Sequence, residues 1–182
     1  MPPIIGLLEV QRQPMRKKRK IMPFVYVGLV VLLFVVLYVL NQSNRNALYD
    51  KPVADLNPAT RELLKDPNYQ NIILPDELDR KIADKESFFV YFFSATCPFC
   101  IQTTPKLTPI IGEVGVDVKQ FNLDVFDEGY GKYNIIYTPT LVFFENGVEK
   151  ERIEGGIVEG NDTITEETYR SFFERYKEAA SS

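Results

Sequence analysis

Residues 87–105 read S-F-F-V-Y-F-F-S-A-T-C-P-F-C-I-Q-T-T-P. Six apolar residues, Phe88 to Phe93, follow one another between two serines with no polar alternation. That run, 87–94, predicts a central strand buried on both faces of a sheet. Cys97-Pro98-Phe99-Cys100 comes next, where the strand gives way to a predicted helix over about 97–113. Pro98 suits a first helical turn, where its missing N–H costs nothing. These are the only two cysteines in a chain of 182 residues.

Four readings of the pair compete. A structural disulfide across two residues closes a loop too small to stabilise much by chain entropy. A zinc site needs two further ligands, and the chain has no histidine and no third cysteine. Buried filler does not call for this spacing. Redox exchange uses every feature: a helix N-terminus stabilises a thiolate, and a second thiol one turn along can attack the mixed disulfide that the first one forms. No metal and no cofactor are expected.

Outward from this unit the order reads as mixed α/β. Asn71–Leu74 is a brief apolar run predicted as an edge strand, and 75–85 a helix with Leu78 and Ile82 on one face. Val116–Leu123 reads as a strand, and 128–136 as a short helix or loop. Residues 140–144 and 148–153 flank Asn146-Gly147, the strongest short hairpin signal. The closing helix, 164–179, places Tyr169, Phe172, Phe173 and Tyr176 at core spacing.

With these elements in order, residues 69–180 resemble the thioredoxin family. Pro105 lies five residues past Cys100, where the family keeps a helix-kinking proline. F-N-L-D (121–124) is similar to the strand end that follows that helix, and Y-T-P-T (137–140) to the loop holding a cis-proline. F-F-E-N-G-V (143–148) resembles the terminal hairpin, with Gly155-Gly156 after it. The resemblance implies a thioredoxin-like fold and a Cys97–Cys100 disulfide that opens and closes. It makes Cys97 the exposed attacking thiol and Cys100 the buried resolving thiol. It also implies that Thr138-Pro139 stacks beside them and that the Thr138 backbone pairs with an extended substrate. The sequence departs from the family at Tyr91, where thioredoxins carry a buried aspartate, at Gln120 in place of a lysine, and at Thr96 in place of a tryptophan. Pro98-Phe99 replaces Gly-Pro. These departures, with threonine ahead of the proline, favour disulfide formation over reduction.

The N-terminal part sets the compartment. Ile21 to Leu40 is twenty residues without a charge, long enough at 1.5 Å per residue to cross the roughly 30 Å core of a bilayer. R-K-K-R-K (16–20) abuts it, so the basic end is expected in the cytoplasm and everything after Leu40 outside. No small-x-small cleavage pattern follows, which favours an uncleaved signal anchor. Residues 1–40 carry a net charge of +5 and residues 41–182 a net −9. So acidic an outer part argues against nucleic acid as a partner. The expected organisation is a cytoplasmic segment (1–20), a single membrane-spanning anchor (21–40), a tether with a short helix capped by Asn57 and Pro58 (41–68), and a thioredoxin-like domain (69–182). The expected function is a bacterial, membrane-anchored thiol–disulfide oxidoreductase. Its clients are exported cysteine-containing proteins or peptides, and a membrane redox partner renews it. The alternative is an accessory that uses the same fold to bind a secreted peptide, such as a bacteriocin, during export.

Overall fold

The computed structural model describes residues 22–43, 45–160 and 162–181. The chain divides into two compact units, 1–41 and 42–182. The first holds all but the last two residues of α1, Met22–Ser43. Its stretch Pro23–Leu40 has a mean hydropathy of 2.7 and exposed side chains throughout, which makes it a candidate membrane span. The basic run 16–20 and Ile21 lie outside the described residues.

In the second unit, β1 (Arg45–Asn46) and β2 (Lys51–Pro52) form a small hairpin, followed by α2 (Pro58–Leu63) and α3 (Pro75–Ala83). The main elements are β3 (Phe88–Phe93), α4 (Pro98–Val114), β4 (Val118–Asn122), α5 (Glu128–Lys132), β5 (Thr140–Glu145), β6 (Val148–Glu154) and α6 (Glu166–Ala180). The sheet order is β4-β3-β5-β6. β3 runs parallel to β4 and antiparallel to β5, and β5 and β6 are antiparallel. This is the mixed sheet flanked by helices that the resemblance implied.

β3 sits at the centre because all six of its side chains are apolar and buried. Alternation divides them. Phe89, Tyr91 and Phe93 share a core with Leu107 and Ile110 of α4 and Phe172 and Phe173 of α6. Phe88, Val90 and Phe92 face the other way, onto Leu78 of α3 and Phe121, Phe126 and Ile135. Asn146 and Gly147 both adopt positive φ (53° and 74°) between β5 and β6, as a two-residue hairpin turn requires.

Two expectations are corrected. The short helix expected within 41–68 forms, with Asn57 as its cap and Pro58 at its start, but the rest of the stretch, read as a tether, is folded from residue 45 onward. Asn57 caps α2 by accepting from the Thr60 N–H at 2.7 Å, Tyr49 and Leu56 are buried in the sheet's second core, and Thr60 is buried as well. The stretch is polar overall and its anchors fall at no regular period, so a periodicity reading passes over them. The folded unit therefore begins well before Tyr69. The edge strand predicted over Asn71–Leu74 contracts to one parallel bridge, Ile72 to Gln120. Pro75 starts α3 immediately afterwards and leaves no length for a ladder.

Candidate active site

The end of β3 delivers the chain into α4 through Ser94, Ala95 and Thr96. The Ser94 hydroxyl pairs with the Thr96 hydroxyl at 2.9 Å, and the Thr96 N–H donates to Asp124 Oδ2 at 3.0 Å. Cys97 is the N-cap of α4 and Pro98 its first residue. The first turn therefore presents free N–H groups around the thiol, the arrangement that favours negative charge.

The two sulfurs sit in unlike surroundings. Cys97 is partly exposed and Cys100 fully buried, and both are free thiols. Partial burial pushes the Cys97 thiol up. Hydrogen bonds from the Thr138 side chain, from the Cys100 thiol and from the Phe99 and Cys100 backbone outweigh it, so the net shift is downward. The Cys97 thiol itself donates to the Thr138 carbonyl at 3.3 Å. That bond favours the protonated form and works against the others. Burial dominates at Cys100, which is pushed up to about 12.

Below Cys100 lies a cage of tyrosines. Tyr69, Tyr91 and Tyr169 are all buried, and each feels the charge of Cys100. Burial pushes the Tyr91 phenol well above its ordinary value, with Cys100 adding to it. Tyr91 is thus a neutral hydroxyl at any ordinary pH. It pairs with the Thr104 hydroxyl at 3.1 Å, and Thr104 donates to the Cys100 carbonyl at 2.9 Å.

The facing wall is the loop ahead of β5. The Thr138–Pro139 peptide is cis. The Pro139 carbonyl accepts from the Gly155 N–H at 2.8 Å, and Tyr169 donates to the Gly155 carbonyl at 2.7 Å. A side chain at Gly156 has no room, because its Cβ would fall 2.0 Å from Thr103 Oγ1 and 3.1 Å from Pro139 Cγ. A groove of about 360 Å³ opens beside this wall, lined by Phe99, Tyr137, Thr138, Glu154, Gly156 and Ile164 among others. Phe99 and Tyr137 are 53% and 62% exposed. Ile101, Tyr130 and Ile136 are exposed as well.

This geometry accompanies a sequence match. Residues 70–167 fit the thioredoxin family model. The chain belongs to the thioredoxin family. It is 34% identical over 80 residues to thioredoxin of Mycoplasma genitalium, covering 43% of this chain and 78% of that one. It is 27% identical over 136 residues to the chloroplastic M-type thioredoxin of Spinacia oleracea, covering 72% and 70%. Among solved structures, Fasciola hepatica thioredoxin is 25% identical with a TM-score of 0.46, covering 55% of this chain and 91% of that one. Family membership brings thioredoxin-type redox function, and the thioredoxin match falls on the segment that carries the two thiols.

Of the residues singled out from sequence, Cys97, Cys100, Thr138 and Pro139 meet at one point. Phe99 stands exposed beside them, whereas Pro98 and Thr96 face solvent. Tyr91 lies beneath, against Cys100. Asp124, Thr104, Tyr69 and Tyr169 also shape the site and were not anticipated there. Asp124 closes the quoted F-N-L-D, and the mid-helix pair Thr103-Thr104 is an unusual choice for a helix interior. Those two were the available signals. Tyr69 and Tyr169 reach the site only through tertiary packing.

Proposed function

We propose that the chain is a membrane-anchored thiol–disulfide oxidoreductase for exported cysteine-containing polypeptides, with Cys97 exchanging and Cys100 resolving. The contrast between the two thiols carries this reading: one is accessible, hydrogen-bonded and shifted down, and the other is buried and shifted up, beside a cis Thr138–Pro139 peptide. A thiolate held by hydrogen bonds is a competent nucleophile and a good leaving group.

Disulfide formation is the proposed direction. A client thiolate attacks Cys97 Sγ of the Cys97–Cys100 disulfide, that bond breaks, and Cys100 leaves as a thiolate that takes up a proton. A second client thiolate then attacks the client sulfur of the mixed disulfide and releases Cys97 as a thiolate. Two electrons have moved from the client to the pair, and a membrane redox partner withdraws them. Interactions that lower Cys97 stabilise the reduced form, so they favour electron acceptance. The neutral Tyr91 beneath Cys100 fits that direction too. On this reading α1 is the anchor, the basic run 16–20 stays in the cytoplasm, and the catalytic domain lies outside. The exposed Phe99, Ile136 and Tyr137 suit docking of unfolded, apolar client segments.

Two measurements test this. Cys97→Ser abolishes disulfide exchange by the full-length protein in detergent, and Cys100→Ala strands clients on Cys97. An unaffected Cys97→Ser variant overturns the proposal. A Cys97–Cys100 potential near that of the strong oxidants supports formation, whereas one near −270 mV, thioredoxin's own, reverses the direction. The groove favours a second reading, an accessory that binds a secreted peptide. A double Cys97→Ser/Cys100→Ser variant that still supports export selects it.

A further inference from the structure

Tyr49 and Thr60 belong to the segment ahead of the thioredoxin match, which starts at residue 70. Both are buried, at 2% and 0% exposure, and both point at the same group. Asn122 Nδ2 donates to the Tyr49 hydroxyl at 3.0 Å and to Thr60 Oγ1 at 3.2 Å. An amide nitrogen has two hydrogens to give, and these two bonds take both. The Asn122 carbonyl oxygen is used as well, accepting the Asp124 N–H at 2.9 Å. Asp124 Oδ2 in turn accepts the Thr96 N–H at 3.0 Å, and the next residue is Cys97.

Four hydrogen bonds thus form an unbroken path from the extension to the residue before the exchanging thiol. The path has little slack. Asn122 ends β4, pairs in register with Phe93 of β3, and is fully buried. Its amide plane is fixed from one side by two hydroxyls of the extension. Without them the amide is free to turn, which moves the acceptor for the Asp124 backbone and so the carboxylate that holds Thr96. The extension is also locked down independently. Tyr49 packs on the Phe126 ring at 6.2 Å, and Lys51 Nζ donates to the Val125 carbonyl at 2.9 Å.

We propose that Tyr49 and Thr60 are positioning residues for the exchange reaction, acting through Asn122 and Asp124 to set the Thr96–Cys97 turn. The extension is therefore part of the active-site scaffold. The inference rests on the exchange reading of Cys97. Couplings carried by such networks typically amount to 0.5–2 kcal/mol, which is about a two- to thirtyfold change in rate.

The test measures alkylation of Cys97 by iodoacetamide as a function of pH, on the reduced full-length protein in detergent. Cys100 is buried and contributes little to that signal. Among the described residues, the ionisable groups that interact with Cys97 are Cys100 on α4 and Tyr130 on α5, and the Asp124 carboxylate lies one residue away on the Thr96 N–H. In a Tyr49→Phe/Thr60→Val variant the ring and the volume remain and both hydroxyls are gone. It is expected to react two- to thirtyfold more slowly at neutral pH, with its profile displaced to higher pH. Thr60→Ser, which keeps the hydroxyl, is expected to follow the wild type. Combining Tyr49→Phe with Asp124→Ala, which removes the acceptor of the Thr96 N–H, is expected to give less than the product of the single effects, since both cut one path. A double variant whose profile superimposes on the wild type, in a protein that exchanges disulfides normally, overturns the positioning role alone. A wild-type Cys97 that reacts as an ordinary thiol and moves no disulfide overturns the exchange reading, and this proposal with it.

Discussion

Replacing Gly156 with alanine strikes the wall of the site at a point where the structure sets the cost. The new methyl would lie 2.0 Å from Thr103 Oγ1, 3.2 Å from Thr103 Cβ and 3.1 Å from Pro139 Cγ. None of these is the loose end of a long side chain. Thr103 is fully buried on α4, and Pro139 is held by the Gly155 N–H. Something must move, and overpacking of this kind costs about 1–3 kcal/mol. At a typical urea dependence of about 2 kcal/mol/M, a 2 kcal/mol loss lowers the unfolding midpoint by about 1 M. Displacement of Pro139 also pushes back the loop that faces Cys97, and exchange is expected to fall about tenfold in the protein that remains folded. Adding Thr103→Ala removes the closest contact at no hydrogen-bond cost, because that hydroxyl has no partner among the described residues. The double variant is therefore expected to recover about 1 kcal/mol relative to additivity. A Gly156→Ala protein as stable as the wild type, or strictly additive effects in the cycle, refutes the reasoning.

Three other outcomes follow from the same geometry. Thr103→Val exchanges a buried hydroxyl with no partner among the described residues for a methyl of similar size, so it is expected to stabilise by about 1 kcal/mol in the same urea titration. Tyr49→Ala is expected to cost about 3–5 kcal/mol as a buried aromatic truncation, and a loss below about 1 kcal/mol makes the extension a tether after all. Alkaline pH weakens the reduced protein through Cys100. Its folded pKa is raised to about 12 against an ordinary 9, so the unfolded chain loses this proton first. Stability from this group is therefore intact below about pH 9. It falls between 9 and 12 by up to about 1.4 kcal/mol per unit. Subtracting the Cys100→Ser curve isolates that component from the tyrosines, and coincident curves count against it.

The parts of the fold that local rules determine were readable from residues alone. Phe88 to Phe93 is too continuously apolar to be anything but a central element, and Asn146-Gly147 admits few conformations besides a tight turn. Cys97-Pro98 marks the helix start by chemistry as well as by propensity. In the extension only the Asn57-Pro58 helix start was readable in this way, because Tyr49, Leu56 and Thr60 are single anchors in a polar stretch and declare themselves only when a partner surface is present. The same holds for Tyr69 and Tyr169. Each sits far from Cys100 in the chain, and no pattern along one element records a contact between three. Asn71–Leu74 shows the opposite error, an apolar run with enough propensity for a strand but cut short by Pro75.

The ring of phenols under Cys100 has a practical consequence. The chain contains no tryptophan, so its near-ultraviolet emission comes from tyrosine, and three of the ten tyrosines share a buried core with Cys100, a sulfur that changes partner. Closing a disulfide beside them is expected to quench their fluorescence, and opening it to restore the signal. The oxidation state of the pair should then be legible optically in the unmodified protein, with no reporter attached and no thiol consumed.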